Sequence, residues 1–260
     1  MANPPIITLT TDFGHRDPYV GVMKGVILSI CPTTRIVDLS HEVTPFHTEQ
    51  APFLVSQAVP YFPPGTIHVA VVDPGVGGSR RALIAQGRRG VYVGPDNGIL
   101  GPLLADDAAV IVHQIGTPDF LPKHPSATFH GRDIFAPAAA HLAMGKPLAD
   151  FGPAVTDPPA APFVEPEATS TGWRGQVIHV DRFGNLITNI PVFLAERIAS
   201  ITVGHHTVYH ASHFGGVKPG VAAFIQGSSE RIEVFVNEGN ASAVLGANVG
   251  GPVLVARKQA

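Results

Sequence analysis

The sequence predicts a mixed α/β protein in two parts: an N-terminal α/β domain with a largely parallel sheet, then a C-terminal all-β, barrel-like domain. Three observations lead there. Up to about residue 152, apolar β-rich runs alternate with helical patterns, the order that builds parallel sheets. Beyond about residue 170, short β-like runs recur with turn residues between them, as in small barrels and sandwiches. Between the two lies GPAVTDPPAAPFVEPEATS, residues 152–170, where repeated proline fixes φ and interrupts hydrogen-bonded ladders. The domains are placed at residues 1–157 and 171–260, with a Pro-rich linker at 158–170.

Ile6-Ile7-Thr8-Leu9 reads as the first strand. Asp17 is expected to cap a helix that begins at Pro18. In that helix Met23, Val26, Ile27 and Ile30 share one face, and Cys31-Pro32 ends it. Ile36–Leu39 is a strand and 49–59 a helix. Residues 67–72, IHVAVV, lack alternation and suit a strand covered on both faces. Short strands follow at 91–93 and 110–112, then a helix near 134–144, bent or started at Pro137. The second part is read as strands at 176–180, 186–189, 201–203, 221–225, 232–236 and 253–255, with a short helix at 192–199.

Bulk composition narrows the function. Of 260 residues, 45% are hydrophobic and 14% charged, which excludes general disorder. The 28 Gly and 25 Pro predict many turns. A net charge of −3 leaves no basic footprint for nucleic acid. No apolar run reaches the roughly 18–20 residues needed to span a bilayer, and no secretory leader pattern opens the chain. With a single cysteine, Cys31, these features lead us to expect a soluble cytoplasmic protein.

Two predicted strands run straight into an acid and a turn: Thr10-Thr11-Asp12-Phe13-Gly14 and Val72-Asp73-Pro74-Gly75. Ligands in open α/β sheets bind beyond the carboxyl ends of strands, so both aspartates should enter one crevice. Capping of the next turn explains each aspartate about equally well. Gly75–Arg80 is not a dinucleotide fingerprint, because Arg80 stands where the third Gly belongs. His205, His206, His210 and His213 fall within nine residues. Alternate strand residues face opposite sides, so the four are read as surface or loop residues rather than a metal site. In Thr128-Phe129-His130-Gly131-Arg132-Asp133, Gly131 would allow close backbone approach to a ligand. Arg132 and Asp133 could simply pair. Asp96-Asn97-Gly98 is a good turn by composition.

Five motifs stand in one order: TTDFG at 10–14, VDPGVG at 72–77, GPDNG at 94–98, TFHGRD at 128–133 and DRFGNLITN at 181–189. Together they resemble the S-adenosylmethionine hydroxide adenosyltransferases, relatives of the fluorinase and chlorinase enzymes, over residues 6–256. The resemblance implies hydrolysis of S-adenosyl-L-methionine at ribose C5′ to adenosine and L-methionine, with no metal and no cofactor. It implies a homotrimer, the substrate lying between the N-terminal domain of one subunit and the C-terminal domain of the next. It implies a catalytic trio of Asp73, Arg80 and His130. Asp12 matches the carboxylate that holds the ribose hydroxyls, and Asn185 an adenine contact. Asp17 and Asp181 match positions near the methionine amino group. Phe46 and Phe129 match apolar positions flanking the ribose and the reacting carbon. Ser228 and Ser229 align near the methionine carboxylate, where the halogenases carry an Arg that this chain lacks.

The chemistry suits those residue types. Methionine leaves as a neutral thioether, so no general acid is needed. Water is the weak partner, with a pKa near 15.7, and must be placed in line with the C5′–S bond. Either Asp73 or His130 is expected to accept its proton, and ordinary imidazole basicity favours His130. Arg80 would keep Asp73 ionised. Halogenation is disfavoured, since a fixed charge on Asp73 repels a halide and Gly131 stands where a halide-binding relative carries Ser. A non-catalytic adenosine or S-adenosylmethionine sensor is the main alternative. It would keep Asp12 and Asn185 but need no trio. An assembly protein with a polar interface is a third.

Overall fold

A computed structural model describes residues 3–105, 107, 109–157 and 163–258. It divides into two units, 1–162 and 163–260. Residues 158–162 of the expected linker lie outside the described residues.

The first unit contains β1 (Ile6–Thr11), α1 (Tyr19–Ile30), β2 (Arg35–Ser40), α2 (Gln50–Ala58), β3 (Thr66–Val71), β4 (Ala82–Gln86), β5 (Gly90–Pro95), α3 (Gly101–Leu104), β6 (Ile111–Gln114) and α4 (Ala136–Ala143). Its sheet runs β2-β1-β3-β5-β4-β6. The first four of these strands are mutually parallel, and β4 is antiparallel to both neighbours. All six residues of β3 are buried, as the missing alternation predicted. Ile67, Val69 and Val71 pack with Met23 and Ile27 of α1 and the Ala-rich α4. Ala70 and Val72 pack on the other side with Ala51 and Val55 of α2. Apolar side chains therefore leave both faces of the sheet, which is what continuous Val/Ile runs require.

Two expectations differ from the structure. Asp17 makes no capping hydrogen bond; Pro18 holds the N-cap position of α1 and Asp17 is exposed. The helix expected from 134 begins earlier, as a π-helical turn over Gly131–Phe135 that continues into α4. Pro137 falls within the first turn of α4, directly after the π turn.

The second unit contains β7 (Glu167–Ala168), β8 (Gly172–Val180), β9 (Leu186–Pro191), β10 (Ile198–Val203), β11 (His206–His210), β12 (Ala222–Gln226), β13 (Arg231–Val236), α5 (Ala241–Leu245) and β14 (Pro252–Arg257). The strand order β14-β10-β11-β12-β13-β9-β8 closes through a β14–β8 pairing, which makes a seven-stranded barrel. Closure leaves no sheet edge in that ring. Ile201, Phe224, Ile232, Val234 and Val253 fill the barrel core. β7 lies within the expected linker and pairs with β8, so that stretch is not irregular throughout.

Candidate active site

β1 and β3 are neighbours in parallel register, with Thr11 opposite Val71. Asp12 and Asp73 therefore leave the same edge of the sheet. They line one cleft of about 610 Å³ with Phe13, Tyr19, Phe46, Phe129, His130 and Arg132. That volume suits a small-molecule ligand.

Arg80 ties the centre together. Its Nε donates to Asp73 Oδ1 and Oδ2, each at 3.0 Å, and its Nη2 pairs with Asp73 Oδ2. The same Nη2 lies 2.6 Å from His130 Nδ1. A guanidinium only donates, so Nδ1 must accept, and the proton of neutral His130 sits on Nε2. Burial lowers the His130 pKa and the Arg80 charge lowers it further, against the pull of Asp73 and Asp133. Behind Arg80, the buried Phe135 ring of the π turn stands 5.4 Å from the guanidinium carbon.

Two loop devices fix this arrangement. Asn97 Nδ2 donates to the Val72 carbonyl at 2.8 Å, beside Asp73, so the 94–98 motif braces the end of β3. Asp96 takes Arg81 at 2.5 Å. Gly77 holds φ at +78°, and a Cβ there would lie 2.2 Å from the Ala127 carbonyl oxygen. Only glycine lets the 73–80 loop approach the segment that carries His130.

Asp12 accepts from the Phe46 N–H at 3.1 Å. Burial pushes the Asp12 carboxyl up, and the Asp73 charge adds to this, against the lowering Phe46 N–H. Phe46 has φ of 71° and a 73% exposed side chain. A left-handed backbone at a non-glycine residue costs on the order of 1–3 kcal/mol and tends to cluster at functional sites. Phe13, Tyr19 and Phe129 form an edge-to-face cluster, with centroids 5.2–5.9 Å apart. Gly131 lines the same cleft, and it also leaves room for this cluster: a Cβ would stand 3.1 Å from Met23 Sδ and Phe129 Cε2. Arg132 does pair with Asp133, at 2.6 Å.

A second cleft, of about 680 Å³, lies in the second unit and is lined by Asp181, Phe183, Asn185, Phe214, Ser228 and Glu233 among others. Asp181 Oδ1 accepts from the Phe183 and Asn185 N–H groups at 2.9 and 2.8 Å, and Oδ2 from Asn185 Nδ2 at 3.0 Å. The DRFGN motif is thus a self-bonded turn that presents Asn185. Burial raises the Glu233 pKa and the Asp181 charge raises it further, while an Asn185 side-chain hydrogen bond opposes both. Asp17 and Ser229 line neither cleft. Sequence reasoning missed Phe13, Tyr19, Arg132 and Glu233. For Glu233 the signal was a charged residue inside an apolar strand. Among the described residues, no group of three or more His, Cys, Asp or Glu is placed to hold a metal ion.

The SAM hydroxide adenosyltransferase N-terminal domain matches residues 7–152, and the C-terminal domain of the same family matches residues 175–254. The chain belongs to this family. It is 42% identical over 260 residues to an (R)-S-adenosyl-L-methionine hydrolase of Salinispora arenicola, covering 96% of this chain and 97% of that protein. It is 41% identical over 250 residues to a protein of that name from Thermus thermophilus, covering 94% and 96%. A fluorinase of an Actinoplanes species is 30% identical over 72% of each chain. Among solved structures, a conserved protein from Thermotoga maritima superposes with a TM-score of 0.90 at 37% identity, covering 96% of this chain and all of that one. Both domains expected from the resemblance are therefore those of a SAM hydroxide adenosyltransferase.

Proposed function

We propose that this chain hydrolyses S-adenosyl-L-methionine to adenosine and L-methionine, and that it acts on the R sulfonium named for its relatives. The observation that carries this is Arg80 gripping both Asp73 and His130, which line one cleft with Asp12. Asp12 would hold the ribose hydroxyls, and Phe46 and Phe129 would flank the sugar and C5′. Asp181, Asn185 and Ser228 would take the rest of the ligand. Asp17 and Ser229 remain proposed contacts near the amino acid part.

Water attacks C5′, the C5′–S bond breaks, and both its electrons leave on the thioether sulfur. The attacking water becomes a strongly acidic oxonium, so even a weak base can take its proton. His130 has no free lone pair: Nδ1 faces Arg80 and Nε2 carries hydrogen. Asp73 is therefore the acceptor, and His130 Nε2–H orients the water. This reverses the preference that ordinary imidazole basicity suggests. A neutral leaving group asks for no Lewis acid, so we propose a reaction without metal or cofactor. A carboxylate at the nucleophile position supports water over halide.

Exposed rings rim both clefts: Phe46 at 73%, Phe183 at 75% and Phe214 at 48% exposure. Such rings favour cover by another surface, and we propose a homotrimer in which the clefts of neighbouring subunits complete each site. No helix among the described residues is long and apolar enough to cross a membrane, and Cys31 is a free, buried thiol. Both fit the cytoplasmic location we propose. The test is purified protein with each sulfonium diastereomer in EDTA-containing, halide-free buffer. Equal adenosine and methionine from the R form is expected. Tight adenosine binding without products would favour the sensor role instead.

A further inference from the structure

His41 is a buried polar residue that the hydrolytic mechanism leaves unused. It directly follows the edge strand β2, yet its side chain is wholly shielded from solvent. Buried polar groups are costly unless they are matched, so its position asks for a reason.

The partners of the ring form a chain that runs inward. Lys24 of α1 donates to Asp38 Oδ2 at 2.6 Å. Asp38 Oδ1 stands 3.0 Å from His41 Nε2, in a contact too bent for a full hydrogen bond. His41 Nδ1 lies 2.8 Å from the Thr11 hydroxyl. Burial lowers the His41 pKa against the pull of Asp38, so the ring is neutral near pH 7. A carboxylate only accepts, so the ring hydrogen faces Asp38 on Nε2 and Nδ1 carries the lone pair. The Thr11 hydroxyl therefore donates to Nδ1, and its oxygen accepts from the Phe13 N–H at 3.2 Å. Asp38, His41 and Thr11 stand in the order of a hydrolytic triad. Thr11 is fully buried, however, so its hydroxyl reaches no substrate.

What the chain does reach is Asp12. That residue sits between Thr11 and Phe13, at the apex of the turn that the Thr11 hydroxyl closes. Segment 41–46 meets this turn at three further points. The Gly14 N–H donates to the His41 carbonyl at 2.8 Å, the Val43 N–H to the Thr11 carbonyl at 3.3 Å, and the Phe46 N–H to the Asp12 carboxylate at 3.1 Å. Only the His41–Thr11 contact joins two side chains, and it sets which way the hydroxyl points.

We propose that His41 is a positioning residue for Asp12: by fixing the Thr11 hydroxyl, it sets the angle at which the Asp12 carboxylate meets the ribose hydroxyls. This rests on the proposed adenosine-forming reaction and adds a residue that does not itself line the cleft.

The test is calorimetric titration of adenosine and 2′,3′-dideoxyadenosine into the full chain, with thermal melting to confirm folding. The proteins are wild type, His41→Asn, His41→Gln and Thr11→Val. Asparagine places Oδ1 near the Nδ1 position and can still accept from Thr11, whereas glutamine carries its polar atoms past it. Wild type should prefer adenosine by roughly tenfold or more, through hydrogen bonds to a charged group. His41→Gln and Thr11→Val should narrow that preference at least roughly threefold through misalignment. His41→Asn should keep it within about twofold of wild type, since the Thr11 bond survives. Equal weakening of both nucleosides, as a purely structural role would give, would overturn the proposal. So would a wild-type ratio in His41→Gln or Thr11→Val, or a His41→Asn ratio as low as that of His41→Gln. Thr11→Val keeps the side-chain shape and decides alone if the His41 variants do not fold. A wild type that binds both nucleosides equally would remove Asp12 as the ribose holder, and this proposal with it, while hydrolysis stands. A wild type that binds neither would remove the adenosine-forming reaction as well.

Discussion

Arg80 holds Asp73 and His130 together through a single guanidinium nitrogen that faces both, and the proposed mechanism uses the three as one unit. Alanine at Asp73 or His130 should lower kcat by about 100-fold or more, with adenosine affinity kept within a few-fold. Wild-type turnover in either variant would remove that residue from the machinery. The pH profile tests the neutral state of His130. The His130 pKa is lowered by burial and Arg80, so the ring stays neutral at and above its ordinary value near 6.5. Turnover should be level on that side and fall only in acid, where a proton on Nδ1 would oppose Arg80. A rate that climbs across pH 6–8 would contradict a ring that is already neutral there. The aspartates were legible in the sequence because each follows a strand. The grip of Arg80 was not, since His130 lies 50 residues away in the chain. The proposed choice of Asp73 as proton acceptor rests on hydrogen-bond geometry and not on side-chain basicity.

Loops hold these residues at the distances the chemistry needs. Gly77→Ala adds a carbon 2.2 Å from the Ala127 carbonyl oxygen at a φ of +78°. It should cost on the order of 1–3 kcal/mol and reduce kcat at least roughly tenfold by parting Asp73 from His130. Gly98→Ala is the comparison: φ is +92° but nothing lies within 4 Å of the added carbon. It should lose stability with a smaller loss of turnover. Equal kcat in the two variants, read beside their melting curves, would contradict a positioning role for Gly77. Most elements were legible from apolar periodicity, including α1 and the fully buried β3. β4 was missed because its run, ALIAQ, holds two alanines and only one β-branched residue, Ile84, a weak strand signal. β11 was missed because His206, Thr207 and His210 hide its single buried Val208. The π turn at Gly131 has no periodic signature; tertiary contacts with Phe13, Met23 and Phe129 favour it.

Across the whole molecule, stability is tied to pH through buried imidazoles. His68 lies in β3 between Thr8, 2.9 Å from its Nδ1, and the stacked Tyr92 ring. Burial holds its pKa at about 4, against 6.5 in the ordinary case. The unfolded chain therefore binds the extra proton between those values, and stability is complete above 6.5 and lost as pH falls toward 4. Urea unfolding should show about 2 kcal/mol less stability at pH 5 than at pH 7 from this group alone. His68→Leu should flatten that slope, and an undiminished slope would show that other groups set it. Family membership joins the two units into one enzyme class, while the chemistry remains to be read from products. Reaction of the purified chain with S-adenosyl-L-methionine in ¹⁸O-water and EDTA tests this most directly. The account predicts adenosine carrying the label on its 5′ oxygen, in equal amount to unlabelled methionine. Bound ligand with no products, or adenosine without the label, would contradict it.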